Sequence, residues 1–158
     1  MVDKQVSSIR TDASIESGMR PGKMSAGGFL GSNEKLADVI SRDDQAVRRL
    51  GLTHEKIADR IEHFIKAVNY PTPAGQVVDG KYLVGGNIWR GMQECPWKDT
   101  HFMPYSSKDL FVVNQDTGEK LNFPGAIVHL IREHCFYEGK ESPYRVDPET
   151  AARVLDIK

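Results

Sequence analysis

Asn69-Tyr70-Pro71-Thr72-Pro73-Ala74-Gly75-Gln76-Val77-Val78-Asp79-Gly80-Lys81-Tyr82-Leu83-Val84 divides the chain into two kinds of text. Pro71 and Pro73 have no amide hydrogen to donate, so a helix arriving from the N-terminal side stops there. Beyond Gly75, Val77-Val78 and Tyr82-Leu83-Val84 flank Asp79-Gly80, a dipeptide suited to the positive φ angles of a two-residue hairpin turn. Apolar residues recur with a period near 3.6 before this stretch and in strand-like runs after it. The order predicts an α+β fold: N-terminal helices, then a small antiparallel sheet packed against a later helix that carries histidines.

On the N-terminal side, Thr53 caps a helix over roughly residues 54–69, with Ile57, Ala58, Ile61, Phe64, Ile65 and Val68 on one face. Gly51 ends the helix before it. That earlier stretch can open at Glu34, capped by Ser32 or Asn33, with Leu36, Val39 and Ile40 on one side. Ser41 offers a second cap with Asp43 and Asp44 behind it, so the stretch reads equally as one helix or two short ones. Residues 1–31 read as a poorly ordered arm. Ser7, Ser8, Ser14, Ser17 and Ser25 mix there with Gly18, Gly22, Gly27 and Gly28, and no period persists before Phe29-Leu30. The expected organisation is that arm followed by one domain over 32–158, helical over 32–70 and β-rich with closing helices over 71–158.

On the C-terminal side, Asn87 to Met92 is expected to form a third strand after a Gly85-Gly86 bend. A second hairpin joins Leu110–Val113 to Lys120–Phe123 around Asp116-Thr117-Gly118. Pro124 opens the histidine helix, and Asp147-Pro148 starts a short final helix to about Leu155. Residues 139–146 read as a loop over the end of the histidine helix, with Arg145 in a surface ion pair.

The chain has 158 residues and a net charge of -1, enough for one sizeable core. No stretch has the basic surplus that phosphate backbones require, which argues against a nucleic-acid partner. No apolar run nears the roughly 20 residues of a membrane span, and Met1-Val2-Asp3-Lys4-Gln5 lacks the apolar core of a secretory leader. Two cysteines make no disulfide framework, so a soluble cytoplasmic protein with reduced thiols and no membrane partner is expected.

The chemistry concentrates in Phe123-Pro124-Gly125-Ala126-Ile127-Val128-His129-Leu130-Ile131-Arg132-Glu133-His134-Cys135 and in the upstream Cys95-Pro96 turn. Thiolate and imidazole are the donors of tetrahedral zinc sites, and Cys95, His129 and His134 are the candidate ligands, with His101 or Asp99 as the fourth. His129 and His134 lie about 140° apart on an ideal helix, so their convergence is expected to need a tightened or unwound last turn. An ordinary packing role competes with this. Ile127, Leu130, Ile131 and His134 share one face, and Cys135 fits a small buried hydrophobe. A third reading makes Cys95 a nucleophile, with His129 or His101 as its base and Asp99 or Asp109 orienting the imidazole. Trp89, Trp97, Tyr82, Phe102 and Tyr105 crowd the β-rich half and read mainly as core.

From Ser32 to Leu155 the chain resembles small bacterial proteins of no assigned activity. The likeness lies in the helix opening over 50–55, the Cys95-Pro96 turn and the ending from Phe123 to His134. It is also similar, at Cys95, His129 and His134, to small zinc proteins with Cys-x-x-Cys before a hairpin and His-x4-His on a helix. It departs from them at the second cysteine, where Lys98 stands. The expected function is a non-enzymatic binding module with a working or vestigial zinc site and a protein or small-molecule partner. The alternative is a small hydrolase or isomerase using His129, Cys95 and a nearby carboxylate.

Overall fold

A computed structural model describes residues 4–24 and 27–158. Met1-Val2-Asp3, read above for the absence of a leader, and Ser25 of the arm lie outside the described residues. The fold is α+β. A 3-10 turn at Val6–Ser8 and helices α1 (Ala13–Gly18), α2 (Leu36–Arg49) and α3 (His54–Ala67) come first. Strands β1 (Gln76–Val78), β2 (Tyr82–Ile88), β3 (Lys108–Asn114) and β4 (Lys120–Pro124) follow, then α4 (Ile127–His134) and α5 (Pro148–Val154). The strands form one antiparallel sheet in the order β1-β2-β3-β4.

The hairpin turn forms where the sequence places it. Asp79 (φ 54°) and Gly80 (φ 66°) both take positive φ, and the Lys81 N–H closes on the Val78 carbonyl at 3.2 Å. The Gly85-Gly86 pair, however, makes no bend. β2 runs through it, and its partner is Lys108–Asn114, with Leu83 opposite Val113 and Asn87 opposite Asp109. The two glycines instead permit close approach. A Cβ on Gly85 would lie 2.4 Å from the Thr72 carbonyl oxygen, and one on Gly86 (φ 151°) would lie 2.0 Å from that of Asp109. The segment after Pro71 can therefore hydrogen-bond to β2, through the Gly86 N–H to Thr72 O at 2.9 Å.

Ser41 does not break the first long helix. α2 runs unbroken from Leu36, and its N-terminal amide is capped from a distance, the Leu36 N–H donating to Glu16 Oε1 at 2.8 Å. Glu34, expected inside the helix, instead accepts from the amides of Gly31, Lys140 and Glu141 and so clips the C-terminal loop to the N-terminal segment. The described part of residues 1–31 differs from the arm reading. Asp12 caps α1 through the Ile15 N–H, and Ile15, Met19, Phe29 and Leu30 are buried in the common core. Four apolar residues spread over sixteen positions do not make a period, yet they suffice to fill the space beside α2.

One apolar cluster joins all the elements. Leu110 and Val112 of β3 and Leu121 and Phe123 of β4 point inward by strand alternation. Phe64 of α3 meets Tyr82 of β2 edge-on at 4.9 Å, and Asn114 Nδ2 of β3 donates to the Val154 carbonyl of α5 at 3.0 Å. α4 lies against α3, where Arg132 reaches Glu55, Asp59 and Glu62, spaced i, i+4 and i+7 along one face. Arg145 is not at the surface. Its guanidinium makes a bidentate pair with buried Asp43, at 2.8 and 2.9 Å, and also donates to the Glu138 carbonyl.

Candidate metal centre

The long connection from β2 to β3 carries Cys95 back over the C-terminal end of α4. Its turn is tight. The Lys98 N–H donates to the Cys95 carbonyl at 2.9 Å, and Lys98 takes φ 63°. The reversal buries Cys95 and Trp97 and brings Asp99 over the helix. Trp97 then fixes the histidine below it. Its ring stacks on that of His134 at 4.0 Å and 6°, packs edge-on against Phe136, and donates through Nε1 to the Arg10 carbonyl.

α4 remains regular through His134, without the tightening or unwinding expected for convergence. The chain leaves the helix one residue later, at Cys135 (φ 52°), and the Phe136 N–H turns back to the Leu130 carbonyl at 3.1 Å. Convergence is achieved by the reach of two imidazoles and by a carboxylate placed between them. Asp99 Oδ1 lies 3.1 Å from His129 Nε2, and Asp99 Oδ2 lies 2.8 Å from His134 Nε2. Cys95 Sγ is 3.5 Å from the same His134 nitrogen. One ligand atom from each of Cys95, Asp99, His129 and His134 lies within 4.8 Å of all the others.

This group can hold a metal ion. A tetrahedral ion with bonds of about 2.3 Å to sulfur and about 2.0 Å to imidazole nitrogen keeps those two atoms about 3.5 Å apart. The Cys95–His134 separation is 3.5 Å. The protonation of the four donors follows from their surroundings. Burial, and then hydrogen bonding to the Asp99 carboxylate, push the Cys95 thiol up to about 12. Burial also pushes His134 below the usual imidazole range, against the opposing pull of Asp99. Burial works to raise Asp99 as well, but hydrogen bonds from Cys95 and His129 outweigh it and hold the carboxyl below its usual range. The Cys95 thiol thus keeps its proton without a metal, and a divalent cation would displace it and be met by a thiolate and a carboxylate.

Of the residues singled out in the sequence, the fold gathers Cys95, His129, His134 and Asp99 and leaves out two. His101 is exposed and packs against Phe102. Asp109 lies on β3, where it accepts from Trp89 Nε1 at 2.7 Å. Where small zinc proteins have Cys-x-x-Cys, this chain has Cys-x-x-x-Asp. Lys98 makes the turn, and the carboxylate one residue later faces the histidines. The aromatic residues divide: Trp97 and Tyr82 are buried, whereas Trp89 and Phe102 are exposed.

A second polar cluster carries no signal in the sequence. His54, at the start of α3, places Nε2 2.8 Å from Asp44 Oδ1 and Nδ1 2.8 Å from the buried Tyr137 hydroxyl. Both ring nitrogens are engaged by the protein. Cys135 is likewise buried, its Sγ 3.8 Å from the Lys4 carbonyl, and it stands apart from the metal group.

Fold and site together define an α+β protein with a Cys/Asp/His/His group able to hold a metal ion. No family model, curated protein or solved structure matches the chain. Among the described residues, no helix is long and apolar enough to cross a membrane.

Proposed function

We propose that this protein is a zinc-binding module, in which Cys95, Asp99, His129 and His134 hold one Zn²⁺ that fastens the Cys95 loop to α4. The observation that carries this reading is the convergence of four donors of the right chemistry within 4.8 Å. Sulfur and two imidazoles suit zinc, whereas magnesium and calcium prefer oxygen. Four protein ligands make a closed site, the arrangement of structural rather than catalytic zinc. The reading is therefore of a binding protein, with a protein or small-molecule partner and no nucleic acid. Reduced cysteines suit the cytoplasm. A hydrolase or isomerase built on Cys95, His129 and a carboxylate has less support, because a nucleophilic thiol needs access and a lowered pKa, and Cys95 has neither.

Protein purified without chelator should contain about one zinc per chain by elemental analysis, and Cys95→Ser, His129→Ala and His134→Ala should each lose it. Adding zinc to metal-free protein should raise its melting temperature, since a structural ion contributes directly to folding. Metal-free protein whose melting temperature ignores added zinc would contradict the proposal.

A further inference from the structure

A cavity of about 190 Å³ lies on the sheet side of the loop that follows α4. Glu138 lines it. This residue is only 2% exposed, and the chain holds it there in the left-handed region at φ 66°. Its Oε1 accepts from Ser142 Oγ at 2.7 Å. The remainder of a carboxyl group set this deep beside a cavity can accept from a donor that enters it. Asp109 contributes a second carboxylate to the lining, tied by the Trp89 Nε1 donor at 2.7 Å.

Gln93 and Ser106 add uncharged polar groups, joined by the Gln93 N–H to Ser106 Oγ at 2.8 Å, and the remaining walls are apolar. Trp89 and Tyr144 stand at the rim, 56% and 44% exposed, and Phe29 and Pro124 lie deeper. Among the described residues, no lysine, arginine or histidine lines the cavity. An anion would meet two acids and no counter-charge. A bare divalent ion would find too few oxygens among aromatic walls. A cation with a carbon body would use the carboxyl groups for its N–H donors and the aromatic faces for its charge and skeleton.

We propose that this cavity binds a small organic ammonium ion, its nitrogen held by Glu138 and Asp109 and its carbon skeleton packed on Trp89 and Tyr144. Burial, partly opposed by Ser142 and reinforced by Asp109, pushes Glu138 up to about 8, so it is a carboxyl that an arriving cation would ionise. The site shares no ligand with the metal centre and stands independently of it.

The test is a titration of the full chain with benzylammonium chloride, followed by NMR at the tryptophan indole N–H signals. The chain has two tryptophans, and Trp89→Phe assigns them. The Trp89 signal should shift saturably while that of Trp97, held on the Arg10 carbonyl, stays in place. Benzyl alcohol at the same concentrations should leave both unmoved. Glu138→Gln and Asp109→Asn should each weaken binding by about tenfold or more, the effect of losing a charge-assisted hydrogen bond. If Glu138→Gln fails to fold, Asp109→Asn carries the comparison. No saturable shift at Trp89, an equal response to benzyl alcohol, or unchanged affinity in folded variants would each overturn the proposal.

Discussion

His54 and His134 are both buried imidazoles beside a carboxylate, yet they sit in opposite kinds of surroundings. His54 is closed: Tyr137 takes one ring nitrogen and Asp44 the other. Next to Asp44 in α2, Asp43 pairs with Arg145, and the Val146 N–H closes on the Tyr137 carbonyl at 3.1 Å. At His134 the donors instead converge. A single Asp99 carboxylate is divided between two histidines, and a buried thiol faces the same nitrogen. A histidine–carboxylate pair is thus structural where its partners exhaust its bonding capacity. It becomes a candidate ligand where several donors of metal-binding type gather within reach of one another.

The closed region around His54 depends most heavily on Arg145. Arg145→Ala leaves the Asp43 carboxylate buried without its partner, and should cost about 3–5 kcal/mol in denaturant unfolding, equally with and without zinc. A loss seen only in metal-free protein would mean that the two regions are coupled. A smaller effect comes from Glu138, in the same loop as Arg145. Its carboxyl is raised to about 8 in the folded protein, so the folded state holds a proton that the unfolded chain has released above 4.5. Its contribution is full below that range and is lost as pH rises through about 8. His134 acts in the opposite sense, its lowered pKa favouring the folded state as pH rises, but only up to its ordinary value of 6.5. From 6.5 to about 8, metal-free protein should therefore lose about 2 kcal/mol of stability, and Glu138→Gln should flatten that slope. A slope unchanged in that variant would assign the titration elsewhere.

The smallest effect is the most discriminating. In metal-free protein, His129→Ala should cost about 1 kcal/mol, because it removes a hydrogen bond to the half-exposed Asp99 and an edge-on ring contact with His134. Leu130→Ala, one residue along and fully buried, should cost about 2–5 kcal/mol. His134→Ala should fall between them. In the presence of zinc, His129→Ala should become far more costly, since it then forfeits the ion. A large metal-free loss at His129 would mean that the histidine itself is structural, in the manner of His54.

What could be read in the sequence was local. The Asp79-Gly80 turn, the Thr53 and Asp147 caps and the strand pair around Gly118 are each fixed by residues a few positions apart. Cys95, His129 and His134 were recognisable by residue type, but the choice of Asp99 over His101 depends on how the turn at Lys98 aims the loop. The contacts that stayed hidden span the chain: Glu16 capping α2 across 20 residues, His54 to Tyr137 across 83, and Arg145 to Asp43 across 102. No periodicity links such partners, and only the packed core brings them together. The Gly85-Gly86 pair shows the same limit, since glycine marks both a bend and a close approach, and only the neighbouring backbone decides between them.

Cobalt substitution reads the metal centre itself, because the spectrum reports both the coordination geometry and the presence of a thiolate ligand. Metal-free protein titrated with Co²⁺ should reach one equivalent with the intense visible bands of a four-coordinate ion. It should also show a near-ultraviolet thiolate-to-cobalt charge-transfer band. Cys95→Ser should abolish that band, Cys135→Ser should keep it, and zinc should displace the cobalt. A weak six-coordinate spectrum, or a charge-transfer band that survives Cys95→Ser, would contradict the assignment of Cys95, Asp99, His129 and His134 as a single metal centre.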